Sequence, residues 1–224
     1  MKFESMPIFF QHSVDDHTKL AIWHIKEEAS FFLNHVPLHR NITHPHKRLQ
    51  HLAGRYLLRY LFPDFPTSLI RIADTRKPFL EDEAYHFSIS HCGDYAAVIA
   101  SSKSRVGIDI EIPTEKVMKI VHKFLHKDEY VLLEGFENIT VPATIRWSAK
   151  EAMFKWWGNG KVDFSEMLRL KGRLNEEKCT LDARFLKEEW QVSFPVQYHY
   201  FDHMVLAWAQ TDTTSDPVPH GPKL

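Results

Sequence analysis

Two rhythms of apolar residues alternate along the chain. In HPHKRLQHLAGRYLLRYLF, residues 44–62, Leu49, Leu52, Tyr56, Leu57, Tyr60 and Leu61 recur every three or four positions, leaving Lys47, Arg48, Arg55 and Arg59 on more polar arcs. That spacing predicts an amphipathic helix with a basic side. EEASFFLNHV, 27–36, predicts a shorter helix, while 6–10 and 18–25 read as short strands. From 68 to 112 the rhythm changes to β-rich runs, SLIRIA, AYHFSIS, YAAVIAS and RVGIDIEI, punctuated by Pro78, Gly93 and Asp94. Helical spacing returns over 115–133 and 142–157, the second stopped by Gly158, Asn159 and Gly160, and strand-like pieces fill 166–209. Strands and helix followed by strands thus occur twice. The pattern predicts an α+β fold of two similar halves with pseudo-twofold symmetry, each a small antiparallel sheet with a packed long helix. The expected boundaries are 1–104, 105–210 and a flexible tail over 211–224, TDTTSDPVPHGPKL.

RVGIDIEIP, residues 105–113, stands out within this pattern. On a strand Val106, Ile108, Ile110 and Ile112 share one face, and Gly107, Asp109 and Glu111 share the other. Two carboxylates roughly 6.6 Å apart repel by roughly 2.5 kcal/mol at an effective dielectric of about 20. A solvated edge would offset this, and so would a hard divalent cation, which takes carboxylate oxygens and fills its other positions with water and phosphate. A third carboxylate lies in WSAKEAMFKWW, residues 147–157. There Glu151 and Lys155, four apart, are neighbours on one helical face, with Lys150 beside them in sequence. Taken alone this is an ordinary surface pair, but Trp147, Met153, Phe154, Trp156 and Trp157 leave little of the segment for solvent. Three carboxylates with two lysines suit phosphoryl transfer, where catalysis is mostly positioning and neutralising charge on phosphate oxygens.

Composition narrows the classes. At 224 residues and 44% apolar content the chain carries an ample core. Lysine plus arginine (28) nearly balances aspartate plus glutamate (29), so no global field draws it to nucleic acid or to an anionic membrane, which argues against a metal-dependent nuclease. Two cysteines cannot form a disulfide framework, no apolar run reaches membrane-span length, and MKFESMPIFF lacks a signal-peptide core; the expected compartment is the cytoplasm. A nucleophile pair from His91 and Cys92 is disfavoured, since neighbours on a strand point to opposite faces. Histidines 35, 39, 44, 46 and 51 match no common zinc spacing and are expected as surface groups.

The combination of VGIDIE (106–111) and WSAKEAMFK (147–155) resembles the 4′-phosphopantetheinyl transferase superfamily, in its larger, monomeric surfactin-synthetase-activating type. That resemblance implies Mg²⁺-dependent transfer, Mn²⁺ being an alternative ion, of the phosphopantetheine arm of coenzyme A to a serine of an apo acyl, peptidyl or aryl carrier protein. Adenosine 3′,5′-bisphosphate is the implied by-product. It further implies that Asp109, Glu111 and Glu151 ligate the metal, that Glu151 or a metal-bound water takes the serine proton, and that Lys155 stabilises or protonates the leaving phosphate, with Lys150 touching phosphate oxygens. FSISHCGDYAAVIAS, 87–101, resembles the family's S-H-S-G segment with Cys92 for the second serine, which brings Ser90 and His91 to coenzyme A phosphates. DTRKPFL, 74–80, resembles G-K-P-x-L with Arg76 for the glycine, and implies that Lys77 holds the adenine and phosphate end. The basic helix implies Arg55 on the 3′-phosphate. By this resemblance residues 1–104 form the coenzyme side and 105–210 the metal and carrier side. The carrier would meet the basic and apolar segment 116–136, Phe124, Leu125 and Tyr130 among lysines 116, 119, 123 and 127. A catalytically decayed binding module is the alternative, against which the intact acids and Lys155 stand.

Overall fold

The structure, a computed structural model, describes residues 7–38, 41–175, 177–188 and 190–213. The first half holds strands β1 (Ile8–Ser13), β2 (Thr18–His24), β5 (His86–Cys92) and β6 (Tyr95–Ser101), hydrogen-bonded in the order β1-β2-β6-β5. Short helix α1 (Ala29–Leu33) and long helix α2 (Pro45–Leu61) intervene, followed by a two-stranded ribbon of β3 (Arg71–Ile72) and β4 (Pro78–Phe79). The second half is a five-stranded sheet in the order β7-β11-β10-β9-β8. Its strands are β7 (Ser104–Glu111), β8 (Leu168–Lys171), β9 (Thr180–Lys187), β10 (Trp190–Tyr200) and β11 (Val205–Asp212). Between β7 and β8 come α3 (Lys116–Phe124), a 3-10 segment Lys127–Leu133 and α4 (Thr140–Trp157). Both large sheets are antiparallel, and each carries one long helix, as the two-half pattern predicts.

Four layers result. Leu52, Ala53, Leu57 and Leu58 of α2 pack on Ala21, Phe87, Ala96 and Val98. On the far side, Ala149, Ala152, Met153 and Trp156 of α4 pack on Leu168, Phe185, Val196 and Ala207. The remaining sheet faces meet each other: Leu20, Ile22, Ala97 and Ile99 lie against Val106, Ile108, Ile110 and Leu206. The isoleucines of the acid-bearing strand therefore form the seam between the halves, and its other face is left for α4.

The two sheets also approach edge to edge, at β5 and β7. The hydroxyls of Ser88 and Ser90 accept from the backbone N–H groups of Ile108 (3.2 Å) and Ile110 (3.4 Å). These side chains satisfy donors that a sheet edge would otherwise leave open.

Three expected spans differ. The predicted helix over 115–133 breaks at Leu125, because the Glu129 carboxylate accepts from the His126 N–H (2.7 Å) and starts a new 3-10 segment. SLIRIA yields only the two strand residues Arg71 and Ile72, since Thr67–Leu69 turn as a 3-10 helix. β11 runs through Thr211 and Asp212, and Thr213 donates to the Lys103 carbonyl, while the rest of the expected tail lies outside the described residues. Among the described residues no helix is long and apolar enough to cross a membrane.

Candidate active site

The acids reach their positions because of a glycine. Gly107 lies on the same face of β7 as Asp109 and Glu111, where a Cβ would sit 2.0 Å from the Ala152 carbonyl oxygen and 2.5 Å from the Trp156 nitrogen. Only a hydrogen fits, so α4 presses its backbone onto β7, and the next residue on that face, Asp109, is driven under the helix. Asp109 is 3% exposed. Its Oδ1 accepts from Lys155 Nζ (2.7 Å) and Ser90 Oγ (2.9 Å), and Lys155 Nζ also donates to Ser90 Oγ (2.8 Å). Its Oδ2 is buried without a hydrogen-bond partner among the described residues.

Glu111 and Glu151 stand around this triangle. Burial, then the Asp109 charge, raises the Glu111 carboxyl above its ordinary range, against hydrogen bonds from Cys92 and Trp147 and the charge of Lys155. Burial pushes Glu151 up to about 7, with Asp109 and Glu111 adding to the push and Lys155 opposing it. The Asp109 charge thus acts on both glutamates and the Glu111 charge on Glu151, as neighbouring carboxylates do. The Cys92 thiol donates to Glu111 Oε2 (3.5 Å) and is itself pushed up to about 11, chiefly by burial, so it is a neutral donor rather than a thiolate nucleophile.

Ser90, Asp109, Glu111, Glu151 and Lys155 are therefore brought together from β5, β7 and α4. His91 is close enough that Lys155, Asp109 and His46 all act on it, and burial as the largest influence holds its imidazole below the usual value. Lys150 is not brought to this site. It is fully buried on another side of α4, and its ammonium donates to Glu129 Oε2 (2.5 Å) and to the carbonyls of Phe124 (2.6 Å) and Phe164 (3.1 Å). The reason is helical geometry: residues one apart point about 100° away from each other, so Lys150 and Glu151 cannot share a face. Glu129 anchors this interior pair and also accepts from the Leu170 N–H (2.6 Å).

Lys77 lines the cleft beside Lys155, and its amine donates to the carbonyls of Lys155 (2.7 Å) and Trp156 (3.5 Å) in the last turn of α4. Arg55 is 4% exposed on the inner side of α2, where its guanidinium meets His51 Nδ1 at 3.1 Å. On the expected carrier side, Phe124 and Leu125 turn inward against α4, leaving Lys116, Lys119, Lys123 and Lys127 exposed with Tyr130 and Val131. Of the clustered histidines, His44 caps α2 by accepting from the Lys47 N–H (3.4 Å) and His46 meets Asp94 Oδ1 (3.0 Å), while His39 lies outside the described residues. A cleft of about 210 Å³ adjoins the acid site, lined by Thr75, Arg76, Phe87, Ile89, Phe154 and Lys155 among others.

The carboxylates suit a hard cation by chemistry, with all-oxygen donors, mutual repulsion and the unsatisfied Asp109 Oδ2. They are not a closed cage: among the described residues no three His, Cys, Asp or Glu side chains converge as a ready ligand set. Lys155 is the counter-charge in place.

Residues 105–209 match the sequence model of the family described as the 4′-phosphopantetheinyl transferase superfamily. Among curated proteins, 4′-phosphopantetheinyl transferase gsp of Aneurinibacillus migulanus is 32% identical over 139 residues, covering 60% of this chain and 56% of that protein. A putative 4′-phosphopantetheinyl transferase of Haemophilus influenzae is 32% identical over 130 residues, 55% of each chain. Enterobactin synthase component D of Salmonella austin is 30% identical over 140 residues, 61% of this chain and 56% of that one. The chain spans a little over half the length of these relatives. The resemblance carried by VGIDIE and WSAKEAMFK is borne out over the half of the chain that contains the acids.

Proposed function

Starting from a chain whose residues 105–209 carry the pattern of the 4′-phosphopantetheinyl transferase superfamily, we propose that it transfers the phosphopantetheine arm of coenzyme A to a serine hydroxyl of an apo carrier protein. The observation that supports this most is the Asp109 carboxylate, held through Oδ1 by Lys155 and Ser90 with Oδ2 buried and unsatisfied, between two carboxyls that burial and repulsion raise. Mg²⁺ or Mn²⁺ held by Asp109, Glu111 and Glu151 would supply charge neutralisation for the coenzyme pyrophosphate. Glu151 or a metal-bound water takes the serine proton, the acceptor being a group within reach of the acid site. Lys155 offsets the charge growing on the leaving phosphate oxygen and offers it a proton. The new bond joins the serine oxygen to the arm's phosphorus, the pyrophosphate bond breaks, and adenosine 3′,5′-bisphosphate leaves. Ser90 and His91 form the coenzyme side of the site.

The partner is read from charge. Lys116, Lys119, Lys123 and Lys127 are exposed together, and such a face suits the acidic helix of a carrier protein. Incubation with coenzyme A, Mg²⁺ and an apo carrier should add about 340 Da to the carrier, the mass of the arm in this chemistry. Several apo carriers of different pathways that all keep their starting mass would overturn the reading.

A further inference from the structure

The segment Ala73–Pro78 touches the catalytic helix in a way the transfer reaction does not by itself require. It is a tight turn closed by two backbone bonds, Ala73 N–H to the Lys77 carbonyl (2.9 Å) and Arg76 N–H to the Ala73 carbonyl (2.8 Å), with Arg76 in the left-handed region at φ 67°. From this turn Lys77 sends its amine to the carbonyls of Lys155 and Trp156, and Thr75 Oγ1 donates to the carbonyl of Gly158 (2.9 Å). The last carbonyls of a helix have no partners within it, and the Lys77 amine, which burial and Arg105 hold down to about 7, meets them as a hydrogen-bond donor. Gly158 is built for this contact: a Cβ there would sit 2.5 Å from Lys77 Cδ and 2.6 Å from its Nζ. The residue whose carbonyl Lys77 grips most closely is Lys155, whose own ammonium holds Asp109.

We propose that Lys77 and Thr75 form a strap from the first half that fixes the last turn of α4, and that Lys77 is a positioning residue, setting the direction from which Lys155 reaches Asp109 and the leaving phosphate. The inference rests on the catalytic reading of Lys155. It assigns the strap an effect on the chemical step rather than on coenzyme affinity. The cleft beside Lys155 is walled by the same turn, so coenzyme in that cleft is bounded by strap and helix together.

The test compares the parent with Lys77→Met, Lys77→Arg and Thr75→Val in the transfer assay, together with amide hydrogen exchange of peptides covering residues 150–160. Lys77→Met should lower kcat about tenfold, as small misplacements near chemistry do, with KM for coenzyme A changed less than about threefold. Lys77→Arg, which keeps a donor for the carbonyls, should recover most of the rate, and Thr75→Val should move kcat in the same direction by less. In a Lys155→Ala background, Lys77→Met should have little further effect on kcat. Exchange over 150–160 should rise in Lys77→Met while β9–β11 stay protected. A raised KM with unchanged kcat, or unaltered exchange over 150–160, overturns the strap. Absence of transfer by the parent itself would sink the proposed activity instead, and the exchange measurement would still decide whether the strap exists.

Discussion

At the scale of single residues, the site holds two carboxyls, Glu111 and Glu151, that resist ionising. Burial and the neighbouring acids raise Glu151 from 4.5 to about 7. A carboxyl whose folded value lies above its unfolded one contributes stability below its unfolded value and loses it as pH rises through the folded value. Glu151→Gln removes that loss. With a chelator present, the variant should be more stable than the parent at about pH 8 by on the order of 2 kcal/mol, and close to it at about pH 4.5. Chemical denaturation at the two pH values reads the difference directly; an equal gap at both contradicts the assigned environment. Asp109, Glu111, Glu151 and Lys155 were legible in the sequence because strand alternation and the four-residue helical spacing each place a pair on one face. Lys150 was drawn in by its neighbour in the text, although a residue next to Glu151 on a helix cannot share its direction. The new role of Lys77 was hidden for another reason. Nothing local tells a lysine whether its ammonium will meet a phosphate or the carbonyl end of a distant helix.

At the scale of elements, the central contact is β7 under α4. Gly107→Ala places a methyl group against backbone atoms at 2.0 and 2.5 Å, with no flexible side chain to give way. Either the helix or the strand must shift. The expected loss is about 3 kcal/mol or more, at the upper end of overpacking costs, with transfer impaired beyond the stability loss because Lys155 and Glu151 move with α4. Urea unfolding and activity at a temperature where the variant stays folded check both parts, and an unimpaired variant would show that the contact is looser than its geometry states. The helices α2 and α4 were legible because their apolar spacing extends over many turns, and the glycine that stops α4, Gly158, takes the left-handed conformation at φ 75°. The break after α3 was not legible. It is made by Glu129, whose carboxylate serves the His126 N–H, the Leu170 N–H and Lys150 at once, and two of those partners lie far along the chain.

At the scale of the whole molecule, the site lies where the two halves join. The first half contributes β5 with Ser90 and Cys92, and the turn that carries Lys77; the second contributes the acids and α4. The doubled pattern of strands and helix in the sequence conveys the two halves, but alternation within a strand does not say which edges will meet. Ser88 and Ser90 settle that by bonding the open donors of β7, so the hydroxyl that orients Asp109 also ties the sheets together. The near-neutral overall charge would leave recognition of the proposed acidic partner to the local lysines of α3 and the 3-10 segment after it. The central claim is that the Asp109 carboxylate organises phosphopantetheine transfer, and Asp109→Asn keeps the shape of that side chain while removing its charge. Intact mass of an apo carrier incubated with coenzyme A and Mg²⁺ tests it. The account predicts an increase of about 340 Da with the parent, and a rate at least about a hundredfold lower with a folded Asp109→Asn variant. Conversion by that variant within about threefold of the parent rate would contradict it.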